Sequence, residues 1–252
     1  METRLAVVTG ASSGIGRAIA QQLSAGGVHL VLTGRNAQEL AETAASCPSP
    51  VERVVGDLND SAHRAQLRTV VDARPLHYLV HVAGIQEFAR LDSIAAVDWE
   101  RTFAINVHAR LYLTQTLLPH FATNARVLFV SSRSAARVRA GAASYCCSYA
   151  ATEMLVSCLR SELRRELRSD SILVNSFLPG SVDTPLLRRS IAVSRELFPD
   201  GTFYQQELER GELREPTEVG KFVRWLLLEA PSAIYDEGPI AIDDPRYAGN
   251  RA

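Results

Sequence analysis

Three glycines mark the first stretch of this chain that could do chemistry. Thr9-Gly10-Ala11-Ser12-Ser13-Gly14-Ile15-Gly16 follows the apolar run Leu5-Ala6-Val7-Val8 and leads into a helical pattern. Gly10 permits a tight turn, Gly14 lets the backbone approach a pyrophosphate, and Gly16 lets the helix pack against the strand. The N–H groups of Ser12, Ser13, Gly14 and Ile15 then face the phosphates at a helix start, where the dipole favours negative charge. Strand before and helix after is the context this turn requires. The second apolar run ends in Leu32-Thr33-Gly34-Arg35-Asn36. It carries no acid to hold a ribose 2′-hydroxyl, but the Arg35 guanidinium fork suits a 2′-phosphate. The expected ligand is NADP(H), with Arg17 near enough in sequence to assist.

The elements that position these residues are legible from the apolar pattern. Strands are expected at Leu5–Val8, Val28–Leu32, Val51–Val55, Tyr78–Val80, Arg126–Val130, Ser171–Asn175 and Pro239–Ile242. Near-continuous apolar runs suit strands buried on both faces. Helices are expected at Ile15–Ala25, Ala37–Ser46, Ser61–Asp72, Trp99–Phe121, Tyr145–Leu167 and Thr217–Glu229. In the fifth of these, Leu155, Cys158, Leu159 and Leu163 form an expected core stripe. Strand–helix alternation predicts a single doubly wound Rossmann domain over 1–252: a mainly parallel seven-stranded sheet flanked by helices. The stretch from about 185 to 213 interrupts the alternation and is expected to form a substrate lid.

Composition sets further bounds. A length of 252 residues with 46% hydrophobic content supports one packed core rather than a disordered chain. A net charge of −1 argues against a nucleic-acid partner. The six histidines and the cysteines Cys47, Cys146, Cys147 and Cys158 show no metal-ligand spacing, so no metal is expected. No apolar stretch reaches the ~18–20 residues of a membrane span, and the first residues lack a leader pattern. A cytoplasmic protein with free thiols is expected. Lys221 is the only lysine among the 27 basic residues, which leaves almost none for catalysis.

With these residues in view, the chain resembles the classical short-chain dehydrogenase/reductase family over nearly its whole length. TGASSGIG is similar to the family's T-G-x-x-x-G-x-G. Asp57, with Leu58 after it, stands where the family has its adenine-contacting acid. His81-Val82-Ala83-Gly84 stands at the N-N-A-G position and keeps Ala83 and Gly84. Asn106 matches the active-site asparagine, and Tyr145 lies thirteen positions after Ser132, the family spacing. Pro179-Gly180-Ser181-Val182-Asp183-Thr184 is similar to P-G-x-x-x-T, whose threonine contacts the nicotinamide carboxamide. Glu209–Leu213 and Glu237–Asp243 resemble the sepiapterin and benzil reductase branch, which reduces vicinal dicarbonyls with NADPH. The resemblance also implies a homodimer or homotetramer packed through the helices at 99–121 and 145–167.

One position departs from the family. Y-x-x-x-K reads here as Tyr145-Cys146-Cys147-Ser148-Tyr149, so a phenol replaces the ammonium that lowers the tyrosine pKa. Both phenols lie on one helix face, one turn apart. Free tyrosine titrates near ~10, so Tyr145 should stay protonated at neutral pH. That is the form carbonyl reduction needs from a general acid, and not the form alcohol oxidation needs from a base. The resemblance therefore implies an NADP-dependent oxidoreductase with an atypical tetrad of Asn106, Ser132, Tyr145 and Tyr149. It would reduce a small ketone or vicinal dicarbonyl, with Ser132 holding the carbonyl. Two alternatives remain: a redox-neutral cyclase, dehydratase or isomerase on the same scaffold, and a non-catalytic NADP(H)-binding protein. Arg133 and Lys221 are the cations considered as substitutes for the missing lysine.

Overall fold

The computed structural model describes residues 4–72, 74–165 and 172–250. Seven strands form one sheet: β1 (Leu5–Thr9), β2 (His29–Gly34), β3 (Val51–Val55), β4 (Leu76–His81), β5 (Phe121–Val130), β6 (Ile172–Leu178) and β7 (Ile240–Ala241). Their spatial order is β3-β2-β1-β4-β5-β6-β7, and every pairing is parallel. The expectation of a mainly parallel, doubly wound sheet holds. β1 is buried along its whole length, as its apolar run requires. Chain order reverses between β1 and β4, and the crevice at their carboxyl ends is where such sheets bind ligands.

The helices cover both faces: α1 (Gly14–Ala25), α2 (Ala37–Ala45), α3 (Ser61–Val71), α4 (Ala96–Phe103), α5 (Ala109–Leu117), α6 (Ala143–Arg165), α7 (Pro185–Ala192), α8 (Gly201–Glu209) and α9 (Pro216–Leu228). On one face Ile19 and Leu23 of α1 meet Phe222 and Leu226 of α9. On the other, Leu67 of α3, Leu113 of α5 and Val156 of α6 share a second core. Among the described residues no helix is long and apolar enough to cross a membrane.

Two expectations need correction. The helix expected over Trp99–Phe121 is three pieces: α4, a wide π-type turn at Ala104–His108, and α5. Pro119 then ends the run in a short 3₁₀ turn, and Phe121 already belongs to β5. A wide turn offsets a side chain from the regular helical face and recurs at functional positions; here it carries Asn106. The stripe of α6 is also shifted. Thr152, Val156 and Leu163 are buried, whereas Cys158 is exposed and Leu155 half-buried. The carboxyl end of that expected helix at 166–167, and Ser171 of the expected strand, lie outside the described residues.

The excursion after β6 is built on α7 and α8. Its neck is closed by a bridge between Val182 and Arg214, with Arg214 N donating to the Ser181 carbonyl at 2.9 Å. Phe198, fully buried, packs edge-on to Phe88 at 4.8 Å, and Asp200 pairs with the buried Arg139. Two anchors and a closed neck fix this segment over the carboxyl edge of the sheet.

Candidate active site

The crevice at the β1/β4 switch opens into a cavity of about 780 Å³. All the residues expected to hold the nucleotide line it: Gly10, Ser12, Ser13, Gly14, Ile15, Gly16, Arg35, Asp57, Leu58, Ala83, Gly84, Pro179, Gly180, Val182 and Thr184. Ser132, Tyr145 and Tyr149 line its deeper wall, and α8 contributes Phe203 and Tyr204. Asn106 is not on the wall. It is fully buried behind it.

The glycine turn has the geometry an anion needs. Gly10 and Gly14 adopt φ of +63° and +52°, a conformation that side chains rarely take. A Cβ on Gly16 would overlap the Gly10 carbonyl oxygen. Ser13 precedes α1 but makes no side-chain cap, so the first N–H groups of the helix stay available. A Cβ on Gly34 would overlap Ser12 Oγ, so glycine there lets the turn lie against the end of β2. Arg35, next in the chain, is exposed on the cavity wall and makes no ion pair among the described residues. These residues fit a phosphorylated dinucleotide. Arg17 does not point into the cavity: its Nη2 donates to the Ser12 carbonyl at 2.7 Å and its Nε to Thr43 Oγ1 at 3.0 Å. It braces the turn from behind, giving that carbonyl hydrogen bonds from both Nε and Nη2.

Asn106 ties the deep wall together. Its Oδ1 accepts from Ile85 N at 2.9 Å, and its Nδ2 donates to the Ile85 carbonyl and to Ser148 Oγ at 3.0 Å each. The segment after β4 and helix α6 are thus locked to the wide turn. Ser132 lies two residues after β5 and accepts from Ser134 N at 3.1 Å, capping a short 3₁₀ turn. Its hydroxyl also faces Tyr145. Thr184 caps α7, accepting from Leu187 N at 3.2 Å, and its methyl borders Gly14.

Tyr145 and Tyr149 are 8% and 5% exposed, with ring centres 4.6 Å apart. Burial pushes the Tyr145 phenol well above its ordinary range, the neighbouring Tyr149 adds to this, and the Ser132 hydroxyl partly offsets it. Tyr145 is a neutral phenol at physiological pH. Of the candidate substitutes for the lysine, Arg133 lines the cavity but pairs with Asp243 at 2.5 Å, and Lys221 is exposed on α9. The cation beside Tyr149 is Arg110, whose Nη2 donates to Tyr149 Oη at 3.3 Å. Sequence reasoning missed it. The available sign was its spacing of four from Asn106, which puts both on one helix face.

His81, at the end of β4, stacks on Phe129 with ring centres 4.4 Å apart. Thr114 Oγ1 gives its proton to the Arg110 carbonyl at 2.8 Å, so it accepts from His81 Nε2 at 2.9 Å. The buried Nδ1 has no partner among the described residues. Burial, then the nearby Arg110, depress the His81 pKa well below the ordinary value. At the start of α6, burial raises the Cys146 thiol pKa, and Cys147 is exposed.

Fold and site together define an oxidoreductase of the Rossmann class, with a dinucleotide cradle beside a serine–tyrosine pair. The chain belongs to the short-chain dehydrogenase/reductase family, whose sequence pattern, described as short chain dehydrogenase, matches residues 4–193. It is 31% identical over 194 residues to an uncharacterised oxidoreductase of Staphylococcus saprophyticus, covering 74% of this chain and 81% of that one. It is 29% identical over 227 residues to L-xylulose reductase of Caenorhabditis elegans, covering 88% and 86%. A short-chain dehydrogenase/reductase from Brucella melitensis superposes with a TM-score of 0.81 at 28% identity, covering 96% and 95%. The fold is also that of L-sorbose reductase from Gluconobacter frateurii, solved with NADPH and L-sorbose (TM-score 0.82, 24% identity, 96% and 95% covered).

Proposed function

We propose that this protein reduces a small carbonyl compound, a ketone or a vicinal dicarbonyl, at the expense of NADPH. The observation that carries this is Tyr145: a buried phenol, neutral at physiological pH, facing Ser132 at the deep end of a cavity whose outer end holds the glycine cradle and Arg35. Gly10 to Gly16 would hold the pyrophosphate, Arg35 the 2′-phosphate, Asp57 and Leu58 the adenine end, and Gly180 to Thr184 the nicotinamide end. When bound, the nicotinamide supplies hydride. Ser132 donates a hydrogen bond to the substrate carbonyl oxygen, and Tyr145 gives that oxygen its proton. General acid help of this kind is typically worth about 10²–10⁴-fold. Asn106 keeps the wall in register, and α7 and α8 act as a lid that limits water at the reacting atoms.

The neutral phenol favours reduction over oxidation at neutral pH, because only oxidation needs a tyrosinate at the start. The exposed Tyr112 of α5 and Met154 of α6 suit a homo-oligomer packed through these helices. The test is NADPH consumption with a panel of diketones, ketoses and aldehydes, in wild type and Tyr145→Phe. Turnover that falls about 10²–10⁴-fold in the variant, with nucleotide affinity retained, supports the proposal. Conversion of substrate without NADPH loss would assign redox-neutral chemistry instead. Tight nucleotide binding with neither would leave a binding protein.

A further inference from the structure

Six arginines line the cavity: Arg35, Arg101, Arg133, Arg137, Arg139 and Arg189. Three of them already have a carboxylate. Arg101 pairs with Glu87 at 2.7 Å, Arg133 with Asp243 at 2.5 Å, and the buried Arg139 with Asp200. Arg35, Arg137 and Arg189 are exposed and make no ion pair among the described residues. An unpaired arginine on open surface is served by water, but one on a cavity wall meets whatever fills the cavity. Two of the three belong to the nucleotide half. Arg35 follows β2, and Arg189 lies on α7 one turn after Pro185, which borders Gly14 together with Thr184. Arg137 belongs to the other half. Its N donates to the Arg133 carbonyl at 3.0 Å, after the short turn that Ser132 caps. Its carbonyl accepts from Cys146 Sγ at 3.7 Å, which holds it against the residue next to Tyr145. Tyr204 of α8 feels the charges of Arg139 and Arg137, and itself bears on Tyr145. Phe203, beside it on the lid, borders the same space with a ring that is 48% exposed.

We infer, on the reductase assignment above, that the substrate is an anionic carbonyl compound, a keto carboxylate, whose carboxylate pairs with Arg137 while its carbonyl meets Ser132 and Tyr145. Arg137 is a specificity-determining residue. Its planar fork of N–H groups matches a carboxylate bidentately. The substrate supplies to Arg137 the partner that Glu87, Asp243 and Asp200 supply to the other three arginines of the wall. Phe203 and Tyr204 offer apolar surface to the carbon skeleton between the two ends. The carbonyl gains a hydride and the Tyr145 proton, NADPH becomes NADP⁺, and Tyr145 recovers a proton from solvent. The carboxylate is unchanged in the product, a hydroxy acid. Arg139 cannot take this part, because Asp200 and Ser134 Oγ already occupy its guanidinium.

The test compares pyruvate, acetoacetate and benzoylformate, each with its methyl ester, so that the members of a pair differ by one charge. Two readouts are taken on the full-length protein: kcat/KM with NADPH, and equilibrium binding of each probe by ligand-observed NMR. In at least one pair the wild type should prefer the acid about 10- to 100-fold in both readouts, the range of a charge-assisted hydrogen bond. That preference should shrink between about 50 and about 500 mM salt. Arg137 makes no side-chain hydrogen bond among the described residues, so Arg137→Gln should fold. It should abolish the preference by raising KM for the acid, with the ester changed by no more than about threefold. Arg137→Lys, which keeps the charge without the fork, should recover part of it. Arg189→Gln should keep the preference. No acid preferred over its ester in wild type, equal losses for acid and ester in Arg137→Gln, or a preference lost in Arg189→Gln instead, overturns the inference. If no probe is turned over, the reductase assignment fails, and the acid–ester difference in binding, with and without Arg137, still decides this one.

Discussion

A lysine at position 149, the residue the family motif carries, would find a guanidinium already in place. Arg110 Nη2 lies 3.3 Å from Tyr149 Oη. An ammonium near that point would repel Arg110 by about 5 kcal/mol at an effective dielectric near 20. Two escapes limit the cost. The lysine can swing toward the cavity, or it can lose its proton, which at pH 7 costs about 4–5 kcal/mol from an ordinary pKa near 10.4. The net expectation for Tyr149→Lys is a loss of roughly 2–4 kcal/mol of stability at neutral pH. The folded-state pKa of that lysine would lie below its unfolded value. At neutral pH the unfolded chain would therefore bind the proton more readily, and the deficit should shrink as pH rises toward about 10. Adding Arg110→Gln removes the repulsion, and the double variant should recover at least half of the loss. Urea unfolding of the four proteins in a double-mutant cycle, at pH 7 and pH 9.5, measures the coupling directly. Tyr149→Lys as stable as wild type, or strict additivity in the cycle, would refute a close, charged Arg110. The same logic makes any catalytic gain from Tyr149→Lys, expected from sequence alone, conditional on the Arg110→Gln background.

Two other outcomes follow from the site. Arg35→Glu removes the cation on the cavity wall and should weaken NADPH binding about 10- to 100-fold, with NADH affected far less. Calorimetric titration of both nucleotides checks this, and equal losses would remove Arg35 from the 2′-phosphate. His81 is 1% exposed and its pKa is depressed well below the ordinary value, so it stays neutral in the fold while the unfolded chain protonates near pH ~6.5. Its contribution is fully present above that pH and declines as pH falls, by about 1.4 kcal/mol per unit, until the folded-state pKa is reached. Unfolding curves at pH 7.5, 6.0 and 5.0 should show that slope in wild type and a flatter one in His81→Asn.

Local chemistry wrote much of this protein into its sequence. The strand–glycine–helix turn, the arginine after β2 in place of an acid, and the thirteen-residue step from Ser132 to Tyr145 are short-range patterns. Each depends on backbone conformation or spacing along one or two elements, so each could be read without coordinates, and all of them line one cavity. What tertiary structure decided is where distant elements meet. Arg17 is adjacent to the turn in sequence yet faces away from the cavity, held by the Ser12 carbonyl and Thr43 Oγ1. Asn106 lies behind the wall because a wide turn, not a regular helix, carries it. Arg110 is 39 residues from Tyr149 in the chain and 3.3 Å from it in space. Which helix face α5 turns toward α6, and hence which charge stands beside the altered motif, is set by packing of both helices on the sheet. The spacing of four from Asn106 puts Arg110 on that residue's helix face, but it does not encode the contact with α6.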